Sequence, residues 1–128
     1  MLDRIRILVG VDGSVQSKRA LAEAITVAKR FSGSIKAITV YKQGTENKAE
    51  EILSEAKMLL RNGEVEFATS SVLGSNPSRA LQNTAKQENF DLIVIGNRGL
   101  GSKASLLLGS VSREIVASAE CNVLVVKK

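Results

Sequence analysis

Residues 91–110 decide the fold: Asp91-Leu92-Ile93-Val94-Ile95-Gly96-Asn97-Arg98-Gly99-Leu100-Gly101-Ser102-Lys103-Ala104-Ser105-Leu106-Leu107-Leu108-Gly109-Ser110. Leu92 to Ile95 is an unbroken run of branched apolar residues, the pattern of a strand covered on both faces. Ser110 opens a helical pattern in which Val111, Ile115, Val116 and Ala119 share one face. Between strand and helix lies a long, glycine-punctuated connection. Connections of that length without regular structure are uncommon in compact domains and often carry function.

Working outward, strand and helix alternate to both ends of the chain. Ile5 to Val9 reads as an apolar strand broken at Gly10, and Ser14 stands where an N-cap belongs, ahead of Leu21, Ala24, Ile25 and Ala28 at helical spacing. Gly33 is the expected stop. Ser34 to Tyr41 reads as the second strand. A helix from about Asn47 to Arg61 follows, with Asn62-Gly63 closing it. Val65 to Leu73 is a third strand, and Pro77 suits the first turn of a third helix, where its missing N–H costs nothing. Val123 to Val126 is the last strand. Five strands alternating with four helices predict an α/β fold, an open five-stranded parallel sheet with helices on both faces, in one domain spanning 1–128.

Composition agrees and narrows the function. Of 128 residues, 44% are hydrophobic but only 3% aromatic, so the core is built from Val, Ile, Leu and Ala. The net charge of +5 comes from dispersed lysines and arginines. Without a basic stripe or aromatic stacking platforms, a small polyanion fits better than a specific nucleic acid. Histidine is absent and Cys121 is the one cysteine, which leaves almost no zinc or iron–sulfur ligands. No apolar run approaches the roughly 20 residues that span a bilayer, and no leader pattern is evident. The expectation is a cytoplasmic protein.

The glycine loop suits an anion. It leaves the carboxyl end of a buried strand, where open α/β sheets bind ligands. Glycines let backbone N–H groups approach a phosphate, and the helix after Gly109 adds unpaired N–H groups and a positive dipole end. Ser110 and Ser112 bring hydroxyls; Arg98 and Lys103 bring charge.

The spacing Gly96-x2-Gly99-x9-Gly109-Ser110, with Val-Asp-Gly-Ser at 11–14 and Asn-Val-Leu-Val-Val at 122–126, resembles the ATP-binding branch of the universal stress protein family along the whole chain. The resemblance implies a Rossmann-like sheet in the order 3-2-1-4-5, of the adenine nucleotide alpha hydrolase-like type. It implies ATP as ligand, with Mg2+ or Mn2+ bridging its phosphates. Asp12, with Val11 beside it, would reach the adenine or ribose, and Val40 would contact adenine. Ile95, Gly96 and Gly99 would line ribose and phosphates, while Gly109, Ser110, Val111 and Ser112 would cradle the phosphates. It further implies a homodimer through Val123–Val126 and a role in stress response or signalling. Two departures stand out: Gly10 where some ATP-binding members carry proline, which would loosen the adenine pocket, and Cys121-Asn122-Val123 where Cys-Pro-Val is frequent.

Other readings compete for these residues. A Walker A loop needs Gly-Lys-Ser/Thr, and Gly101-Ser102-Lys103 has the wrong order. Gly99-x-Gly101-x-x-Ala104 imitates a dinucleotide fingerprint, but only one strand follows it. Ser110 can be a plain N-cap and Asp12 a plain turn aspartate. No acidic residue lies between Gly96 and Ser112 to hold a metal or position water, so efficient hydrolysis is not expected. A nucleotide-independent dimeric interaction module remains the alternative, with a transferase or pyrophosphatase of related fold behind it.

Overall fold

The computed structural model describes residues 4–97 and 109–127. Nine elements alternate: β1 (Arg6–Gly10), α1 (Val15–Arg30), β2 (Ser34–Tyr41), α2 (Glu46–Gly63), β3 (Glu66–Leu73), α3 (Pro77–Gln87), β4 (Leu92–Gly96), α4 (Ser110–Ser118) and β5 (Asn122–Val126). The strands form one sheet in the order β3-β2-β1-β4-β5, as expected, and every neighbouring pair is parallel. Central β1 pairs Ile7 with Ile35 of β2 on one side and Leu8 with Ile93 of β4 on the other.

Strand alternation divides the apolar residues into two layers. Ile7, Val9, Ile35, Ala37 and Val94 pack under α1 and α2 with Leu21, Ala24 and Leu60. Leu8, Ile38, Ile93 and Ile95 pack under α3 and α4 with Leu81 and Ile115. Because β1 leads to β2 and β3 in one direction while β4 and β5 lie in the other, the order reverses between β1 and β4. Beyond the carboxyl ends of those two strands the fold leaves a crevice.

The starts of α1 and α3 carry side-chain caps. Ser14 Oγ accepts the Ser17 N–H at 3.1 Å, and Asn76 Oδ1 accepts that of Arg79 at 3.0 Å ahead of Pro77. The helix ends depart from the expected glycine stops. The left-handed non-glycine residues after helices are Ser32 (φ 53°), Glu64 (φ 57°) and Asn89 (φ 58°), and the glycines beside the first two do not take that conformation. Gly33 and Gly63 are there for closeness: a Cβ on either would lie within 2.6 Å of Ile5 or Ile25.

Candidate functional site

The crevice at the β1–β4 reversal holds a cavity of about 220 Å3, somewhat below the roughly 300–1,000 Å3 of most small-molecule sites. Three segments build it.

The first is the turn after β1. The Val11 N–H donates to Ile38 O at 2.9 Å, extending the ladder past Gly10. Asp12 is exposed, its N–H donates to Ser17 Oγ at 3.2 Å, and its Oδ1 accepts the Ser14 N–H at 2.9 Å. Gly13, at φ 84°, completes the turn. Asp12 is therefore a turn aspartate, and the turn aims it: among the described residues nothing bonds its other oxygen. Gly10 leaves no hole behind it. A Cβ there would meet Leu81 Cδ1 at 2.9 Å, so the leucine of α3 fills the space a side chain would take.

The second segment is the end of β2. The β1–β2 register stops at Gly10 opposite Ile38. Since Ile38 O faces β1, alternation turns the N–H and C=O of Val40 the same way, past the end of β1 and toward the cavity its side chain lines. A peptide donor and acceptor thus stand side by side above an apolar wall of Val11, Ile38, Leu81 and Ile95.

The third segment joins β4 to α4. Gly96 ends the strand against α1, where a Cβ would lie 2.9 Å from the backbone C and O of Gln16. The Gly109 N–H donates to Asn97 O at 3.0 Å, and the Asn97 N–H to Val126 O at 2.9 Å. The two ends of the glycine loop are therefore adjacent. Gly109, not Ser110, is the N-cap of α4, and as a glycine it offers no side chain to cap the helix. Ser110 is its first residue and is exposed. The N–H groups of Ser110, Val111 and Ser112, orphaned by helix geometry, accordingly receive no side-chain acceptor from the cap residue.

Of the ten residues singled out in the sequence, Val11, Asp12, Val40, Ile95, Gly96, Gly109, Ser110, Val111 and Ser112 all line this one cavity. Gly99 lies outside the described residues, as do Arg98, Gly101 and Lys103. The cavity is also lined by Gly10, Ser14, Ser17, Ile38, Pro77 and Leu81, which the sequence did not mark as site residues. Ile38 had a signal, standing two residues before Val40 on the same strand face; Leu81 had none. Asp12 is the one acidic side chain among the described lining residues. No group of three or more His, Cys, Asp or Glu among the described residues is placed to hold a metal.

A second, larger cavity of about 370 Å3 lies by the C-terminal end of α3 and the α4–β5 corner, with Lys86 and Glu120 3.4 Å apart beside it. Cys121 lines it, and burial pushes this thiol above its usual pKa, which suppresses the reactive thiolate.

The family model described as the universal stress protein family matches residues 4–127. A universal stress protein of Thermus aquaticus is 34% identical over 133 residues, covering 94% of this chain and 97% of that protein. Among solved structures, the universal stress protein UspA of Lactobacillus plantarum is 27% identical with a TM-score of 0.77, covering 98% of this chain and 100% of its own. A universal stress protein solved in complex with cAMP is 28% identical with a TM-score of 0.79, covering 95% of this chain and 96% of its own.

Proposed function

The chain belongs to the universal stress protein family, and from that premise we propose that it binds ATP in the β1–β4 crevice and serves in stress response or signalling, the nucleotide acting as switch or stabiliser. One observation carries this: an apolar slot and a helix start whose cap residue is a glycine, of opposite chemical character, line the same cavity. The relative solved with cAMP supports an adenine nucleotide.

In this reading the base lies against Val11, Ile38, Val40, Leu81 and Ile95. The N–H and C=O of Val40 match the acceptor N1 and donor N6 of adenine, and the Asp12 carboxylate accepts from ribose hydroxyls. Phosphates take the N–H groups of Ser110, Val111 and Ser112, with Gly96, Gly99 and Gly109 keeping the approach clear. Mg2+ or Mn2+ would neutralise phosphate charge, held by the phosphates themselves. The chain has no histidine to serve as a base, and Asp12 is committed to the other end of the ligand, so hydrolysis is slow at most and the protein is no efficient enzyme. A cytoplasmic address and a homodimer through β5 belong to the same proposal; no described helix is long and apolar enough to cross a membrane.

Thermal unfolding with ATP and Mg2+ tests it. A ligand at 100 times its dissociation constant stabilises the folded state by about 2.7 kcal/mol, so the transition should rise by several degrees with ATP and not with inorganic phosphate alone. No rise at millimolar ATP would defeat the assignment.

A further inference from the structure

Ser112 stands in the third turn-position of α4, where its hydroxyl invites the role of a phosphate donor. Its geometry points elsewhere. The residue is 4% exposed, and its Oγ donates to Gly96 O at 2.8 Å and to Asn97 O at 2.9 Å. A serine hydroxyl has one proton, and two carbonyls at the end of β4 already share it. Asn97 O also accepts the Gly109 N–H. One carbonyl therefore receives both the cap residue of α4 and a side chain from its first turn. α1 and α3 have a side chain that caps their own N–H groups. In α4 the first-turn hydroxyl bonds backward to the strand instead, so the helix is anchored without using a cap residue's side chain or that hydroxyl on its own N–H groups.

We propose that Ser112 is a positioning residue: its hydroxyl locks the start of α4 to the end of β4, setting the N–H groups of Ser110, Val111 and Ser112 in place before any nucleotide arrives, and makes no phosphate bond itself. The inference rests on the nucleotide reading above and assigns within it a division of labour, backbone for the ligand and hydroxyl for the scaffold. Pre-set donors bind more tightly because their ordering cost is met in folding. Losing the lock should therefore weaken the phosphate end of the ligand and leave the base end alone.

The test uses the full chain and two probes, ATP and adenosine, titrated by calorimetry, with amide hydrogen exchange measured on the nucleotide-free protein. For Ser112→Ala the ATP affinity is expected to fall about tenfold, the scale of one lost buried hydrogen bond, while adenosine stays within about twofold. Gly109 exchange in the nucleotide-free protein should quicken about tenfold. Ser112→Thr keeps the donor and should hold ATP affinity within about threefold of wild type. Ser112→Cys, close in volume but a poor donor, should follow Ala and repeats the test if Ala does not fold. Undiminished ATP binding by the Ala and Cys variants would overturn the proposal, as would ATP and adenosine weakening alike. Weakened ATP binding with unchanged Gly109 exchange would overturn it too, by showing the hydroxyl to act on the ligand. Wild-type protein that binds no ATP would instead remove the nucleotide reading itself.

Discussion

At Gly96 two demands meet in one residue. The sequence presents it as a glycine that lets a phosphate come close, and it lines the cavity. The structure adds a demand independent of any ligand: the Gln16 backbone sits 2.9 Å from where a Cβ would be. Backbone atoms cannot rotate aside as a side-chain tip can, so Gly96→Ala forces α1 away from β4. Overpacking of this kind costs about 1–3 kcal/mol. Urea unfolding of nucleotide-free Gly96→Ala should show that loss; unchanged stability would mean the glycine serves the ligand alone. The same two-sidedness explains what was legible here. Gly96, Gly109, Ser110 and Asp12 could be assigned to one crevice because spacing and strand ends mark them, and they do line one cavity. That Leu81 fills the space beside Gly10 was not legible, because nothing local in either residue announces a contact between β1 and α3. Nor was the direction of the Ser112 hydroxyl, which depends on where the end of β4 falls.

Among the elements, the contrast between helix starts is the most informative. Ser14 and Asn76 close the first turns of α1 and α3 with side-chain oxygens, whereas α4 begins at a glycine. Gly109 has φ −69° and ψ 168°, a conformation open to any residue, so conformational freedom does not require glycine there. Gly109→Ser should then have effects of opposite sign. A serine cap is worth a few tenths of a kcal/mol over glycine, so nucleotide-free stability should rise slightly. ATP affinity should fall about tenfold, because the new hydroxyl competes for the N–H groups that the phosphates would use. Paired melting curves and calorimetric titrations would check both signs, and unaltered affinity would argue that those N–H groups do not serve the ligand. Element order and type were legible throughout, because apolar periodicity and caps are local properties. The helix ends were less so: glycine promises a left-handed stop, but Ser32 and Glu64 take that conformation while Gly33 and Gly63 answer to the closeness of Ile5 and Ile25.

For the whole molecule, the two sheet edges differ in a way that bears on assembly. β3 carries Thr69, Ser70 and Ser71 along its middle, with little to attract a second sheet. β5 is Asn122-Val123-Leu124-Val125-Val126, and all four apolar residues remain half-buried even though Leu124 and Val126 join one core layer and Val123 and Val125 the other. Its outer backbone edge is also without a strand partner among the described residues. An apolar edge strand of this kind invites pairing, and that is the physical basis for the proposed homodimer. Light scattering at micromolar concentration should give twice the 13.7 kDa chain mass. Val123→Lys places a charge on the half-buried apolar flank of that edge, opposite Ile93; because Val123 also packs on the α3–α4 core layer, some loss of nucleotide-free stability should accompany it. The substitution should shift the protein to monomer while leaving the ATP-dependent rise in melting temperature in place. A wild-type monomer, or a Val123→Lys dimer as stable as wild type, would take β5 out of the assembly. Loss of dimer and nucleotide response together would show instead that the crevice needs the partner to hold its shape.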